Sequence, residues 1–414
     1  MRFKSVEVAV IGTGCIGAEF IKRASTAGYS IVAAVNSREA TGLLPATFRS
    51  RGDTAEVSSY LQHLRDDASV DLAVFALPSG DDGSTELGLM LSFLGHGIPV
   101  VTAGKAALSQ HYDRLRPFLH RIGRRATVGG GTAMLHQVKA WLQPGAPCSM
   151  RTVANGTMAF MSWQSQLGRS LDEAAQAAVN LKFAEPPEIG QPLSVLKLYE
   201  AELRDVAHRK VPIILSELFW DRFGRACTPD DVKCVPVTEK DLRILAEWNC
   251  LDYVVEIGAD YQSGVEPSVP GAIWCNLNGV YVRGRFCSIE DSDALALIPS
   301  GPGNALVARQ GERTFAIAGL GAGPEPTVEA MMADLRELAD DPKSYVTPLP
   351  PVRVMEHIRS SGDCHGFLGP GKLPDGALIL AAFADETVNP RDGDPYPGLE
   401  GGPDDWNKQA GSRC

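Results

Sequence analysis

The chain has 414 residues, 44% of them hydrophobic, and a formal net charge of -11. This length allows two or three domains with a sizeable core. The acidic balance argues against nucleic acid and anionic membranes as partners, and no apolar run approaches the about 20 residues that a spanning helix needs. The nine cysteines are scattered without a C-x-x-C pair, which predicts reduced thiols in a cytoplasmic protein rather than disulfides or a zinc site.

The first predicted elements are a strand, a glycine-rich turn and a helix. The strand starts at Val6, and Glu7 interrupts its apolar run, which argues against a signal peptide. The turn carries the G-x-G-x-x-G pattern, whose glycines permit a tight turn, close approach of a pyrophosphate and close helix packing. The phosphates would lie at the helix N-terminus. The alternative is an ordinary strand-to-helix turn that binds no nucleotide. The predicted cofactor contacts are Gly12, Thr13, Gly14, Cys15, Ile16 and Gly17.

Strands and helices alternate through the first 145 residues. This βαβ alternation predicts an α/β fold with a Rossmann-type doubly wound parallel sheet. Beyond the first strand and helix, strands are predicted over residues 31–35, 70–77 and 98–102, and helices over 60–65 and 87–94.

The pattern changes near residue 145, where we place a domain boundary. Helices over 170–183, 199–219 and 327–339 and strands over 279–286 and 304–307 predict an α+β domain for substrate binding and dimerisation. We assign residues 1–145, completed by 319–340, to the NAD(P)-binding domain and residues 146–318 to the substrate domain. Residues 341–390 form a C-terminal extension in which 377–383 packs on the body, and 391–414 have the composition of a disordered tail.

The end of the second predicted strand indicates which nucleotide is bound. In NAD-binding versions of this fold an acidic residue at this point contacts the ribose 2′-hydroxyl. Here Asn36, Ser37 and Arg38 follow the strand, so no carboxylate would repel a 2′-phosphate and Arg38 could bind one. This favours NADP(H) over NAD(H); the alternative is that Arg38 is a solvated loop residue. Pro78 and Ser79, after the third strand, complete the predicted cofactor contacts on this side.

Six ordered blocks between residues 5 and 340 resemble the homoserine dehydrogenase family. The run from Val100 to Leu108 reads V-V-T-A-G-K-A-A-L and is similar to the family's V-T-A-N-K-A-A-L. The other blocks are A-T-V-G-G-G from Ala126, N-G-T from Asn155, G-R-S-L-D-E-A from Gly168 running on to F-A-E at Phe183, D-V-A-H-R-K from Asp205, and G-L-G-A-G from Gly319 followed by Pro326 and Thr327. The resemblance implies a divergent member, and we expect neither an aspartokinase nor an ACT domain.

The resemblance implies an enzyme that interconverts a primary alcohol on an amino acid and its aldehyde with a nicotinamide cofactor. Such a reaction needs a group that takes up and returns the hydroxyl proton, and a lysine beside a second cation is suited to this. The implied catalytic residues are Lys105, Asp205, Arg209 and Lys210; the implied substrate contacts are Glu185, Gly156, Thr157 and Glu200; and Lys105, Gly321 and Gly323 are implied to contact the cofactor.

Each candidate also has an ordinary structural interpretation. Lys105 could be a solvated loop lysine, and Glu185 lies before two prolines where a surface role is plausible. Asp205 could form a helix-face salt bridge with Arg209 at i+4 spacing. The loop from Gly319 to Gly323 could be a plain turn, although the helix that follows makes a cofactor-facing helix start credible.

The chain departs from the family pattern around the substrate. Gly104 replaces the asparagine of the T-A-N-K block, and Arg125 stands where the family has a glutamate that helps to bind a monovalent metal ion. A guanidinium cannot ligate a cation, so no metal is expected. Arg209 falls in register with the family's lysine and Lys210 is one place late; since one helical position rotates a side chain by about 100 degrees, Lys210 would need a local helix bulge.

The sequence therefore predicts an NADP(H)-dependent oxidoreductase that acts on L-homoserine and L-aspartate 4-semialdehyde or a related pair. A nicotinamide-dependent reductase of another hydroxy or carbonyl compound, and a catalytically inactive nucleotide-binding sensor, remain alternatives. The predicted partners are a small-molecule substrate and a second copy in a homodimer, with neither nucleic acid nor membrane.

Overall fold

The computed structural model describes residues 6–36, 40–42, 61–62, 64–66, 70–78, 82–143, 148–187, 190–247, 251–258, 269–289, 293–340 and 379–382. The chain divides into two compact units. The first, called the nucleotide unit below, comprises residues 1–140, 208–230 and 324–350; the second, called the mixed unit, comprises 141–207, 231–323 and 351–414. The predicted contacts Ser37, Arg38 and Ser79 and the predicted tail at 391–414 lie outside the described residues.

The elements are numbered here in chain order. The strands are β1 (Glu7–Ile11), β2 (Ser30–Val35), β3 (Ala40–Gly42), β4 (Leu72–Phe75), β5 (Val100–Thr102), β6 (Ile122–Gly123), β7 (Ser149–Val153), β8 (Lys233–Cys234), β9 (Leu251–Gly258), β10 (Ile273–Leu277), β11 (Val280–Ser288), β12 (Gly303–Gln310), β13 (Arg313–Leu320) and β14 (Ile379–Ala382). The helices are α1 (Cys15–Thr26), α2 (Ser84–Gly95), α3 (Ala106–Leu115), α4 (Met134–Trp141), α5 (Gly156–Gln166), α6 (Leu171–Asn180), α7 (Val195–Asp205), α8 (Val211–Phe223), α9 (Glu239–Glu247) and α10 (Pro324–Asp340).

The nucleotide unit is built on a six-stranded sheet in the order β3-β2-β1-β4-β5-β6. The five neighbouring strands β2, β1, β4, β5 and β6 are parallel to one another, which confirms the predicted Rossmann-type sheet. The short edge strand β3 pairs antiparallel with β2, and the sequence did not predict it. Chain order reverses between β1 and β4, and open parallel sheets bind ligands outside the carboxyl ends of their strands at such a reversal.

The core of the nucleotide unit lies between its sheet and the helices α1 and α10. Val8 and Val74 from the sheet, Phe20 from α1 and Met331 and Leu335 from α10 are all fully buried and belong to one apolar cluster. The segment at 324–340, which is distant in sequence, is therefore part of the core beneath β1.

The mixed unit contains an eight-stranded sheet in the order β14-β13-β12-β7-β9-β11-β10-β8. Its pairings are antiparallel except for the parallel pair β13–β14. The prediction of an α+β second domain is confirmed, and the apolar segment predicted to pack on the body supplies β14.

In place of the regular helix predicted over 199–219, the structure has two α-helices joined by a π-helical segment. Helix α7 continues through a π-helical segment, Val206–Lys210, into α8. Within the described residues, no helix combines the length and the hydropathy that crossing a membrane requires.

Candidate active site

The glycine turn after β1 shows three different steric environments. Gly12 has φ of 102°, and a Cβ there would lie 2.3 Å from the Ala76 carbonyl oxygen. A Cβ on Gly17 would lie 1.8 Å from the carbonyl oxygen of Gly12. Around Gly14, by contrast, no described atom lies within 4 Å of the Cβ position. Gly12 and Gly17 are thus required by the fold, whereas Gly14 leaves space open above the backbone.

The open space at Gly14 lies at the N-terminus of α1. Gly14 is the N-cap residue, and no side chain of the described residues caps this helix. Helix N-termini present backbone N–H groups and a partial positive charge to anions. The turn therefore fits the pyrophosphate of a dinucleotide, with Gly14 providing the close approach. Cys15, at the first helical position, is exposed.

Asn36 connects the end of β2 to this turn. Its side-chain amide donates a hydrogen bond of 2.7 Å to the Thr13 hydroxyl. An amide rather than a carboxylate therefore lies beside the turn, as the sequence indicated. Pro78, beyond the carboxyl end of β4, is exposed.

Replacement of Gly12 and of Gly14 by alanine is expected to separate folding from cofactor binding. Gly12→Ala forces a Cβ against a backbone carbonyl at positive φ, so we expect it to lower the free energy of unfolding by at least about 1–3 kcal/mol. Gly14→Ala meets no described atom, so its thermal stability should match wild type while NADP(H) affinity falls. Thermal denaturation and calorimetric titration with NADPH measure the two effects, and wild-type affinity in Gly14→Ala would contradict this placement of the pyrophosphate.

Lys105 lies in the loop between β5 and α3. It follows the carboxyl end of β5 and is the N-cap residue of α3, with a half-buried side chain. Because β1, β4 and β5 are adjacent and parallel, Lys105 and the Gly12 turn lie at the same edge of one sheet. That edge is where a Rossmann-type sheet binds its ligand.

A buried carboxylate that the sequence analysis missed contacts this loop. Glu86, in the first turn of α2, accepts a hydrogen bond of 2.8 Å from the Thr102 hydroxyl and a longer one of 3.4 Å from the Ala107 amide. A Cβ on Gly104 would lie 1.9 Å from Glu86 Oε1. The carboxylate thus occupies the space of a side chain at position 104, which explains why the family's asparagine is absent.

The electrostatics around Glu86 bring two of the predicted catalytic cations together. Burial raises the pKa of Glu86 above its ordinary value, and the hydrogen bonds from Thr102 and Ala107 and the positive charges of Lys105 and Arg209 oppose this shift. Lys105 and Arg209, which are 104 positions apart in a 414-residue chain, therefore act on one carboxyl group within the nucleotide unit.

The π-helical segment bears on the register of Lys210. In the sequence, Lys210 lies one residue beyond the position of the family's lysine, so a local helix bulge is needed to bring it into register. The segment Val206–Lys210 is π-helical. A π segment inserts one extra residue into a helix and often occurs at functional sites. Lys210 is buried and Arg209 is half-buried. The catalytic roles of both residues stay predictions.

The mixed unit holds the other predicted residues. Asn155 caps α5 by accepting a hydrogen bond of 2.9 Å from the Met158 amide, and its side chain donates one of 2.7 Å to Glu202. The Thr157 hydroxyl donates to the Phe183 carbonyl at 2.6 Å. Of the remaining predicted residues, Glu185 and Glu200 are exposed and Asp205 is half-buried at the end of α7. Glu202 thus makes the contact at the start of α5, two positions beyond the predicted Glu200.

Close packing surrounds the start of α5. A Cβ on Gly156 would lie 2.8 Å from the Pro302 carbonyl oxygen and 2.9 Å from the Ala322 amide nitrogen. At Gly321 a Cβ would lie 1.8 Å from the buried Asn304 amide, and Gly323 has φ of 102°. The glycines of the two blocks therefore allow the 319–323 loop to pack on α5.

Arg125 is a buried cation with acidic partners on α10. It is 4% exposed, its guanidinium and backbone amide bond Asp334 at 2.6 and 2.9 Å, and it also forms an ion pair with Glu337. It donates to His136 at 2.9 Å; burial and then the charge of Arg125 lower the pKa of His136 to about 3. The described residues contain no cluster of His, Cys, Asp and Glu that could hold a metal ion.

Glu217 on α8 joins a second ion cluster in the nucleotide unit. Arg124 and Lys139 contact its carboxylate at 2.5 Å. Burial alone would raise the pKa of Glu217, but these two cations lower it to about 2. The cluster fixes α8 to the nucleotide unit through Arg124 and through Lys139 of α4.

The lowered pKa of Glu217 predicts that the nucleotide unit loses stability at acidic pH. Because the folded pKa lies below the ordinary value of 4.5, the stabilisation is present above pH 4.5 and is lost as pH falls toward 2. We expect on the order of 3 kcal/mol to disappear over this window. Glu217→Gln should remove most of this pH dependence in urea unfolding, whereas a Glu239→Gln control, in an exposed pair with Arg243, should retain it. Parallel pH curves for wild type and Glu217→Gln would contradict this account.

Comparison with known proteins adds an independent observation. No protein-family model matches the chain. The curated homoserine dehydrogenase of Helicobacter pylori is 24% identical over 353 residues, which cover 81% of this chain and 74% of that protein. The chain is similar to the homoserine dehydrogenases at low identity over most of its length. The resemblance found in the ordered sequence blocks is thereby confirmed.

Solved homoserine dehydrogenases share this fold. The Thermoplasma acidophilum structure has a TM-score of 0.60 at 21% identity and covers 81% of this chain and 100% of that one. The Thiobacillus denitrificans structure has a TM-score of 0.54 at 19% identity, with 83% and 76% covered. A hyperthermophilic archaeal homoserine dehydrogenase in complex with NADPH has a TM-score of 0.52 at 16% identity, with 81% and 98% covered.

Proposed function

We propose that this protein is an NADP(H)-dependent oxidoreductase that interconverts L-homoserine and L-aspartate 4-semialdehyde, or a closely related amino-acid alcohol and aldehyde. The observation that carries the proposal is the position of Lys105, at the same edge of one parallel sheet as the Gly12 turn. The ordered sequence blocks and the homoserine dehydrogenase fold support it. A homodimer in the cytoplasm, as the sequence analysis expected, is part of the proposal.

In the proposed reaction, different residues of the chain bind the cofactor, transfer the proton and bind the substrate. The nicotinamide, when bound, supplies or accepts the hydride. The turn and the N-terminus of α1 bind the pyrophosphate, with Gly14 leaving room for it. In the reductive direction the Lys105 ammonium donates a proton to the oxygen of the aldehyde, and in the oxidative direction the neutral amine accepts the hydroxyl proton. Glu185 and Asp205 bind the ammonium and hydroxyl groups of the substrate, and Arg209 or Lys210 provides the second cation.

NADPH is expected to be preferred over NADH. Asn36 places an amide beside the turn, where a carboxylate would bind the free ribose hydroxyl of NAD, and Arg38 supplies the charge for a 2′-phosphate. We expect a lower KM for NADPH than for NADH in steady-state assays. Arg38→Ala should raise the KM for NADPH and leave that for NADH unchanged. A clear preference of the wild type for NADH would contradict the cofactor assignment.

The proposed activity is tested with purified protein, NADPH and a panel of aldehydes that includes aspartate 4-semialdehyde. NADPH oxidation with aspartate semialdehyde supports the proposal as stated. Turnover only with other carbonyl compounds supports the alternative, a reductase of another hydroxy or carbonyl compound. The replacement of the family's asparagine by Gly104, with Glu86 in the space beside it, favours this alternative. Tight NADPH binding without turnover of any aldehyde would overturn the enzymatic proposal and indicate a nucleotide-binding sensor.

A further inference from the structure

Glu86 makes unusual contacts for a helix-face carboxylate. It is only 7% exposed, and the other buried residues of α2 are apolar: Leu87, Met90, Phe93 and Leu94. One oxygen accepts from the Thr102 hydroxyl, which itself accepts from the Gly104 amide at 2.8 Å. The other oxygen faces the Ala107 amide in the first turn of α3. One carboxyl group therefore contacts both sides of Lys105.

Packing alone does not account for a glutamate at this position. Burying a carboxylate costs several kcal/mol unless hydrogen bonds and opposite charges compensate for the lost hydration. The raised pKa of Glu86 reflects this cost, since burial is its largest cause. The charges that act on the carboxylate are Lys105 in the β5–α3 loop and Arg209 in the π segment. The buried carboxyl group thus lies within the electrostatic influence of the two cations to which catalysis is assigned.

We propose that Glu86 is a positioning residue for Lys105, which fixes the β5–α3 loop from α2 and so holds the lysine at the carboxyl edge of the sheet. The inference rests on the proposed function. Gly104 and Glu86 form a matched pair in it, because the carboxylate fills the volume that a side chain at position 104 would take.

The variant Glu86→Gln keeps the side-chain shape and removes the charge. We expect kcat for aldehyde reduction to fall about 10-fold, while the KM for the aldehyde and the NADPH affinity stay at the wild-type level. Glu325→Gln, an exposed glutamate in the first turn of α10, is the matched control and should leave every readout unchanged.

A second readout does not depend on turnover. Lys105 in the intact protein is labelled with an amine-reactive reagent at fixed pH, and the labelled peptide is quantified by mass spectrometry. Glutamine has one acceptor oxygen and cannot keep the hydrogen bonds from both Thr102 and Ala107, so the loop should loosen around Lys105 and labelling should be several-fold faster in Glu86→Gln than in wild type. Unchanged labelling and an unchanged kcat in folded Glu86→Gln would overturn the inference. Faster labelling in a protein that reduces no aldehyde would leave it standing and reject the proposed function instead.

The steric relation between Gly104 and Glu86 is tested with a compensating second substitution. Gly104→Asn alone places a side chain on the Glu86 carboxylate and should lower kcat and thermal stability. The double variant Glu86→Ala/Gly104→Asn removes the clash and returns a polar side chain to the loop, so it should recover stability and part of kcat relative to either single variant. Equal or additive losses in the double variant would contradict the pairing.

Discussion

Lys105→Ala is expected to lower kcat for aldehyde reduction by about 10²–10⁴-fold, the range typical for loss of a general acid. The fold and the glycine turn should persist, because Lys105 is a half-buried residue of a loop outside the core. NADPH binding should therefore be retained. Steady-state kinetics, together with calorimetric titration of NADPH, measure the two quantities on the same preparation.

Lys105→Arg separates charge from proton transfer. Arginine keeps the positive charge at the end of β5 but does not release a proton in the working pH range, so its kcat should remain close to that of the alanine variant. Lys22→Ala, at an exposed position of α1, is the control and should retain wild-type kcat. Unchanged turnover in Lys105→Ala would remove Lys105 from the mechanism.

Arg125→Met is expected to lower the free energy of unfolding by about 3–5 kcal/mol, the usual cost of breaking a buried ion pair. The reason is Asp334, which is fully buried and keeps its negative charge when the guanidinium is lost. Arg114→Met, at an exposed position of α3, should change stability by less than about 0.5 kcal/mol. Urea denaturation measures both variants.

A double variant identifies the source of this loss. Arg125→Met/Asp334→Leu replaces the buried pair by apolar side chains and should recover most of the stability, since such replacements are commonly neutral or stabilising. If Arg125→Met unfolds at the same urea concentration as wild type, Arg125 does not fix α10 to the sheet.

Four of the five parallel strands, β1, β2, β4 and β5, were predictable because each carries a local signal, whereas the two-residue β6 was not predicted. The strand before Gly12 is apolar and ends in glycines whose spacing reflects contacts within a few residues, such as that of Gly17 with the Gly12 carbonyl. Strand β9 shows why the mixed sheet was largely missed. Val254 and Val255 are both buried, so its residues do not alternate between apolar and polar, and Glu256 is paired with Arg283 of the neighbouring strand.

The missed parts of the candidate site depend on contacts between residues distant in sequence. Arg125 looked like the loss of a metal ligand, and its partner Asp334 lies 209 positions away. Glu86 carries no motif, and its contact with the Lys105 loop exists only once α2 and β5 are placed side by side. The π segment is intermediate: the spacing from Asp205 to Lys210 signalled that a bulge was needed, and the structure contains one.

The proposed reaction is hydride transfer from a nicotinamide to an amino-acid aldehyde. Its most direct test uses NADPH carrying deuterium at the transferable C4 position, incubated with the purified protein and aspartate 4-semialdehyde or the related aldehydes of the panel. Mass spectrometry should find an amino-acid alcohol with a single deuterium on the new alcohol carbon, formed about 10²–10⁴-fold more slowly with Lys105→Ala. NADPH binding without deuterium in any product would contradict it.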